Sequence, residues 1–464
     1  MANKRRAKKI QAPYRRYVYR SNFTEANSSD EEEEEDVLEN DVAKKDVYGT
    51  TLQNFKANSH IISTYVLTNR FVFKGNIWPR SQFEKIDVLQ CALTNQNKNF
   101  EENMERAKFE LENESKLMKL PVEIIVKILE ILDARGKLKP KFLRVCKLFY
   151  LIAFPMIYRR PHLKATNFFS FVETMSSNKK SGEYVQELDL SSVIQSGKNA
   201  FVSKLLKRSK KQLRVFVAPQ TSFGLAPLLS LKNCHQLRIL DLRLVSETLD
   251  LRELFNSIEA LQNLTHLSFP RSSVAINNFN NVNWPPQLSF LRLSGGISDD
   301  FLLETKFPST ITQLEFSHCP AIKEFGFQQL IRKMGKTLKT LKVQYPMPGL
   351  REKSLDPVFY YCPNLLVLEV AVDYVSSSFF DEENLGYMEY PRPLKTMYLE
   401  SSGMLGTSTR LDPIDLAVAL NDERLPNLKN IRCTAKLGWD PKSEYVDFIV
   451  NALDERGGGI YIGY

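Results

Sequence analysis

Five histidines and six cysteines are the side chains of this 464-residue chain best suited to catalysis or metal binding. His60, His162, His235, His266 and His318 are isolated in sequence, with no HExxH pair and no glycine-rich loop to cradle a phosphate. Cys91, Cys146, Cys234, Cys319, Cys362 and Cys433 are scattered without a CxxC pair, which suits reduced thiols in the cytosol or nucleus rather than a zinc site or a disulfide framework. The sequence therefore predicts no enzyme, no metal and no cofactor. What remains is recognition by charge and by apolar surface.

Two sets of charges stand out. Residues 1–20 hold eight lysines and arginines and no acid, densest at Lys4, Arg5, Arg6, Lys8 and Lys9. Such a block is read as a nuclear-import signal, so nucleus and cytoplasm are the expected locations. An acidic run, Asp30 to Asp36, comes after it. The second set is spread along the chain as Asp189, Asp241, Arg243, His266, Arg292, Glu315, Lys342, Glu369, Tyr398, Glu400 and Arg432. It mixes both signs, whereas a phosphate track would be uniformly basic, so nucleic acid is not the expected partner. A protein segment of mixed charge, or a phosphorylated one held at Arg243, Arg292 and Lys342, suits it better. Arg243, Arg292, Glu315, Lys342, Glu369 and Tyr398 are the candidate substrate-binding residues.

These residues lie in a repeat. From residue 183 onward, a six-residue pattern of apolar, two variable, apolar, variable, apolar returns. It starts at Val185, Leu213, Leu237, Leu264, Leu288, Ile311, Leu338, Leu365, Leu394 and Leu428, at steps of 23 to 34 residues. Leu237-Arg238-Ile239-Leu240-Asp241-Leu242 is one instance. The pattern resembles the leucine-rich repeat, in which each unit is one short strand and one return segment. In a strand the apolar trio points inward and the interleaved residues point outward. On that reading Arg292, Glu315, Lys342 and Glu369 stand on adjacent strands at equivalent outward positions, as a row of alternating sign. Reversing Arg292 and Lys342 to glutamate is expected to leave thermal unfolding nearly unchanged. The segments 251–258 and 325–331 are expected to be helical returns. Trp284 and Trp439 are expected to be packing anchors. A helix over 445–453 and a last strand at 460–462 are expected to close the array.

Ahead of the repeats, Leu120-Pro121-Val122-Glu123-Ile124-Ile125 opens a helix. Proline suits the first helical position and Glu123 suits the positive helix end. Leu120, Ile124, Ile125, Ile128, Leu129 and Leu132 recur at helical spacing as one apolar stripe. A second helix is expected from Pro140, carrying Phe142, Val145, Cys146, Phe149 and Ile152 and ended by Pro155. A short third piece, 156–158, comes next. Helices this short cannot bury two stripes on each other, so part of that surface should face a partner.

Leu-Pro-x-Glu-Ile-Ile, followed by Val145-Cys146-Lys147 and Tyr158-Arg159, resembles the F-box. It departs from that pattern at Phe149, where tryptophan is common. The resemblance implies docking on a Skp-family adaptor through Leu120, Pro121, Ile124, Ile125, Ile128, Leu129, Leu132, Val145, Cys146, Phe149 and Tyr158. An F-box followed by leucine-rich repeats is similar to fungal-type substrate receptors of SCF ubiquitin ligases. That implies cullin and RING subunits reached through the adaptor, and a protein substrate marked for proteasomal degradation. A scaffold that binds the adaptor outside any ligase is the alternative.

The expected fold class is thus an α/β solenoid, a leucine-rich-repeat horseshoe preceded by a small α-helical F-box and a disordered N-terminal tail. The boundaries read as a tail over 1–44, a docked or tethering segment over 45–98, a helical lead-in and F-box over 99–165, repeats over 183–440 and a cap over 441–464. No apolar run of about eighteen residues is present to span a membrane.

Overall fold

The computed structural model describes residues 120–463 apart from 195–198, 221–222, 275–281, 387 and 405–410. The basic block, the acidic run, the 45–98 segment and the 99–118 lead-in lie outside the described residues.

The first helix, α1 (Val122–Ala134), starts after Pro121, whose carbonyl accepts from the backbone of Ile124 at 3.0 Å. It ends in a Schellman turn. Gly136 adopts φ 67°, its N–H bonds the Asp133 carbonyl at 2.9 Å, and Lys137 N–H bonds the Leu132 carbonyl at 2.8 Å. Only glycine takes that left-handed conformation without strain. A 3₁₀ turn, Pro140–Arg144, leads into α2 (Lys147–Arg159).

Pro155 lies inside α2 rather than ending it, and residues 156–158 continue the same helix. A proline in a helix interior costs roughly 3 kcal/mol. Burial on both sides of the break offsets it. Met156 enters a small core with Val122, Ile125, Val126 and Leu129 of α1 and Leu148, Ile152 and Ala153 of α2. Phe154 stacks on Tyr158, with ring centroids 4.2 Å apart.

The aromatic side of α2 joins the helix pair to the next helix and the first strand. Phe154 meets Tyr184 edge-on at 5.8 Å, and Tyr158 stacks on Phe171 of α3 (Phe168–Ser177) at 5.9 Å. Gln186 N–H bonds the Arg159 carbonyl at 3.0 Å, and Arg160 pairs with Glu187 at 3.1 Å.

From Glu187 the chain runs as repeated strand and return. The strands are β1 (Glu187–Asp189), β2 (Val215–Val217), β3 (Ile239–Asp241), β4 (Leu249–Asp250), β5 (His266–Ser268), β6 (Ser273–Val274) and β7 (Phe290–Leu293). They continue with β8 (Gln313–Ser317), β9 (Thr340–Gln344), β10 (Val367–Ala371), β11 (Thr396–Glu400), β12 (Asn430–Thr434) and β13 (Gly459–Gly463). The two-residue β4 and β6 pair with each other. The other eleven form one parallel sheet in chain order. Return helices include α4 (Asn199–Ser209), α5 (Leu225–Leu231), α6 (Leu251–Ile258), α7 (Asp299–Glu304) and α8 (Glu324–Met334). Later ones are α9 (Val358–Tyr361), α10 (Glu382–Leu385), α11 (Pro413–Asn421) and α12 (Glu444–Glu455).

The alternation of the strands builds the core. Leu240, Leu267, Leu291, Leu314, Leu341 and Leu368 are partners across successive strands and are fully buried in one continuous cluster. Each such burial stabilises by about 1.5–3 kcal/mol. Asparagines that precede the first apolar position tie units together. Asn263, Asn364 and Asn427 donate to the carbonyls of His235, Lys336 and Arg392 at 2.7–2.9 Å. Trp439 is buried and donates to the Leu411 carbonyl at 2.8 Å, while Trp284 packs on Phe255 at 5.1 Å. Among the described residues, no helix is long and apolar enough to cross a membrane.

Candidate functional site

The apolar stripe of α1 is two faces, not one. At 100° per residue, Ile125 and Leu129 turn toward α2 and are 3% and 0% exposed. Ile124, Ile128 and Ile131 turn away and, with Leu120 just ahead of the helix, are 43–53% exposed. The interior face is already satisfied by α2, so Ile125 and Leu129 hold the helix pair together rather than offering contact surface. Leu132 and Phe149 are half-buried against the same core. Pro121, Val145 and Cys146 are exposed. Tyr158 belongs to the aromatic junction with α3, where burial raises its pKa. Ile131 and the exposed Tyr150 extend the outward face. The spacing 120, 124, 128 and 131 carries that signal in the sequence.

The second candidate surface is the outward row of the sheet. Register places Arg292 opposite Glu315, Glu315 opposite Lys342, Lys342 opposite Glu369 and Glu369 opposite Tyr398. Arg292 Nη1 lies 3.4 Å from Glu315 Oε2, and Lys342 Nζ lies 3.0 Å from Glu315 Oε1 and 3.8 Å from Glu369 Oε2. Gln344, on the same face two residues beyond Lys342, donates to Glu369 Oε1 at 3.1 Å and accepts from Arg292 Nη2 at 3.4 Å. Sequence reading misses Gln344, although its spacing from Lys342 puts it on that face. Arg243 falls just past the end of β3, where it pairs with Asp241 at 2.8 Å.

This row is not a solvated face. Arg292, Glu315, Glu369 and Tyr398 are 1–7% exposed. The expectation that reversing Arg292 and Lys342 is harmless to the fold is therefore corrected. Reversal would set four carboxylates side by side out of water.

Burial and pairing set the protonation states. Burial alone would raise the Glu315 pKa, but Lys342 and Arg292 outweigh it and hold Glu315 ionised below its usual range. Glu369 goes the other way. Burial, then the nearby Glu400 carboxyl, push it up to about 8 against the pull of Lys342. Burial also raises Glu400, with Arg432 and Lys342 opposing. His266 is driven down to about 4 by burial and is neutral at physiological pH. Chemically, the row is Arg292 and Lys342 held around the Glu315 carboxylate beside a protonated Glu369, and a ligand could enter it only by offering equal or better partners. Lys4, Arg5, Arg6, Lys8 and Lys9 lie outside the described residues. Among the described residues, no cluster of histidine, cysteine and carboxylate could hold a metal.

Comparison with known proteins bears on the helical region directly. A family model described as "COS11 F-box domain" matches residues 117–196. Over 484 aligned residues, the chain is 42% identical to F-box protein YDR306C of Saccharomyces cerevisiae, covering 100% of both chains. It is 31% identical over 351 residues to Protein pof5 of Schizosaccharomyces pombe, covering 75% of this chain and 99% of that one. Among solved structures, the crystal structure of the Rad7 and Elc1 complex in yeast is a loose likeness. It has a TM-score of 0.41 and 13% identity, and it covers 77% of this chain and 94% of that chain.

Proposed function

This chain belongs to the F-box protein family, and from that premise we propose that it is the substrate receptor of an SCF-type ubiquitin ligase. The parallel units are leucine-rich repeats in this reading. The observation that carries it is the outward face of α1. Three large apolar side chains, Ile124, Ile128 and Ile131, stand exposed on one helix whose other face is already packed, and Leu120 just before it is exposed too. A contiguous apolar surface of this kind marks a protein contact. Its partner is a Skp-family adaptor, which brings cullin and RING subunits. The solenoid holds a protein substrate on the outward face of its sheet, around Arg292, Glu315, Lys342 and Glu369. The receptor does no bond chemistry. It raises the effective concentration of substrate near the conjugating enzyme.

The aromatic junction supports this division of labour. Tyr158, Phe154 and Phe171, with the Arg160–Glu187 pair, tie α2 to the start of the solenoid. A substrate held on the sheet then keeps its orientation relative to the adaptor. Regulation by location rests on Lys4 to Lys9, which we assign to nuclear import.

The test is Ile124→Asp with Ile128→Asp. Both side chains are 44–47% exposed, so the fold should tolerate the change. A charge in a desolvated contact costs several kcal/mol, so adaptor capture should fall by at least about 100-fold with unchanged thermal unfolding. Unchanged capture refutes the reading. Retained adaptor binding in the wild type without cullin in the complex would instead favour a scaffold outside the ligase.

A further inference from the structure

A return helix turns one face to the solenoid core, and the face that meets water is normally polar. α6 obeys that rule, with Arg252 and Asn256 exposed. α4 and α5, before it in the array, do not. Phe201 of α4 and Leu225 and Leu229 of α5 are 39–53% exposed. Phe201, Leu225 and Arg252 each stand twelve residues before a repeat start, at Leu213, Leu237 and Leu264. Leu229 and Asn256 correspond in the same way. The repeat therefore accepts polar side chains at these places, and the hydrocarbon there is surplus to the fold. A patch of this kind marks a contact.

The rim of the patch is basic. Lys204 and Lys207 of α4 and Lys232 at the end of α5 are exposed. Residues 190–240 hold nine lysines and arginines and no aspartate or glutamate. Lysine suits the negative C-terminal end of a helix, but that preference does not empty the whole stretch of acid. Two carboxylates approach from neighbouring units and are engaged there. Glu183 pairs with Lys211 at 2.7 Å, and Glu247 accepts from the Phe223 N–H at 2.8 Å.

The other end of the solenoid carries the complement. α11 and α12 pack side by side. Val418 of α11 and Tyr445 and Phe448 of α12 are 41–46% exposed. Here the rim is acidic. Glu444, Asp447 and Glu455 are exposed, and residues 440–455 hold five carboxylates against one lysine, Lys442. Apolar patches with rims of opposite charge are complementary surfaces. These two do not meet within one chain. α4 and α5 flank β2, α11 and α12 flank β12, and those strands stand eight steps apart in the sheet. At about 4.8 Å per step, that is on the order of 40 Å.

We infer that α11 and α12 of one copy dock on α4 and α5 of a second copy of this chain. Tyr445 and Phe448 cover Leu225 and Leu229, and the carboxylates of α12 face Lys204, Lys207 and Lys232. The assembly presents one α1 face and one charged row per copy, which raises the valency of both surfaces. The contact goes beyond the receptor reading and does not depend on it.

The test is sedimentation velocity of the full chain over the micromolar range, with thermal unfolding as the check on folding. Wild type should sediment faster as its concentration rises. Leu225→Arg with Leu229→Asn installs the residues that α6 carries at the corresponding places. It should weaken self-association by at least about 10-fold and leave unfolding unchanged. Tyr445→Ser with Phe448→Ser should do the same. Each variant keeps the half that the other has lost, so mixing them should give a 1:1 pair that neither forms alone. Raising salt should weaken the wild-type contact, because exposed charge pairs are screened. Wild type that stays monomeric overturns the inference. So does association that either variant keeps or that salt strengthens, because a different face or unspecific apolar contact would then be responsible. Monomeric wild type that binds phosphatidylserine vesicles through Leu225 and Leu229 overturns it in favour of a membrane contact. Adaptor capture measured on the same samples reports the α1 face separately, so failure of one reading is distinguishable from failure of the other.

Discussion

The helix pair at residues 120–159 presents an exposed apolar face, whereas the outward row of the solenoid is polar and buried. In α1 the leftover surface is apolar. Val122, Ile125, Val126 and Leu129 satisfy one face, while Ile124, Ile128 and Ile131 are surplus to the fold. On the sheet the outward row is buried, and its charges close on themselves through Arg292–Glu315–Lys342, beside a protonated Glu369. A partner of α1 gains by covering water-exposed hydrocarbon. A partner of the row has to replace pairs that already exist. The first surface should therefore bind with high affinity and little salt dependence. The second should select strongly on charge while contributing modest net affinity.

The largest stability effect should come from breaking the row at its centre. Glu315 faces both Arg292 and Lys342. Glu315→Ala leaves two cations facing each other with no carboxylate between them. Removing one partner of a buried pair costs about 3–5 kcal/mol. Denaturant unfolding should show that loss, with adaptor capture by the folded fraction unaffected. A loss below about 1 kcal/mol would show that the row is solvated in solution.

The helix pair should separate two neighbouring substitutions. Leu129→Ala opens a cavity in the small core and should cost about 2–5 kcal/mol. Ile128→Ala, one residue earlier on the outward face, should change stability by no more than about 0.5 kcal/mol while weakening adaptor binding by about 10-fold or more. Equal stability effects would mean that α1 has a different rotation from the one described.

Much of this arrangement is legible in the residues, and the failures have physical causes. The repeat starts from Val185 to Leu428 are all buried at the heads of their units, because a six-residue apolar pattern leaves a strand one inward face. Period-two spacing implies the row of Arg292, Glu315, Lys342 and Glu369, and the strands hold it in register. Its burial is not legible, since depth depends on what covers the sheet and strand spacing is silent on that. Helical spacing makes the α1 stripe one surface, because it does not say which 100° sector meets α2. Local propensity makes Pro155 a stop, but tertiary burial of Met156 and Tyr158 overrides it. The repeat pattern puts Arg243 on a strand, but β3 ends at Asp241 and the side chain folds back onto that residue.

The smallest expected effect is also the one most specific to the row. Glu369 holds a proton in the folded state up to about pH 8, because burial and Glu400 disfavour its charge. In the unfolded chain the same carboxyl titrates near 4.5. Between these two values the folded state binds more protons than the unfolded state, so stability falls as pH rises through that window. Glu315 behaves oppositely. Its folded pKa lies below its ordinary value, so its contribution is present above about pH 4.5 and is lost only on further acidification. The two effects therefore occupy different pH ranges. From pH 6 to pH 8 the unfolding midpoint should drop by on the order of a few °C, and Glu369→Gln should flatten that slope. Glutamine keeps the shape and a hydrogen-bonding oxygen for Gln344 but has no proton to lose. A slope that survives Glu369→Gln would move the titrating group to Glu400, its neighbour on β11, and Glu400→Gln in the same assay would then remove the slope.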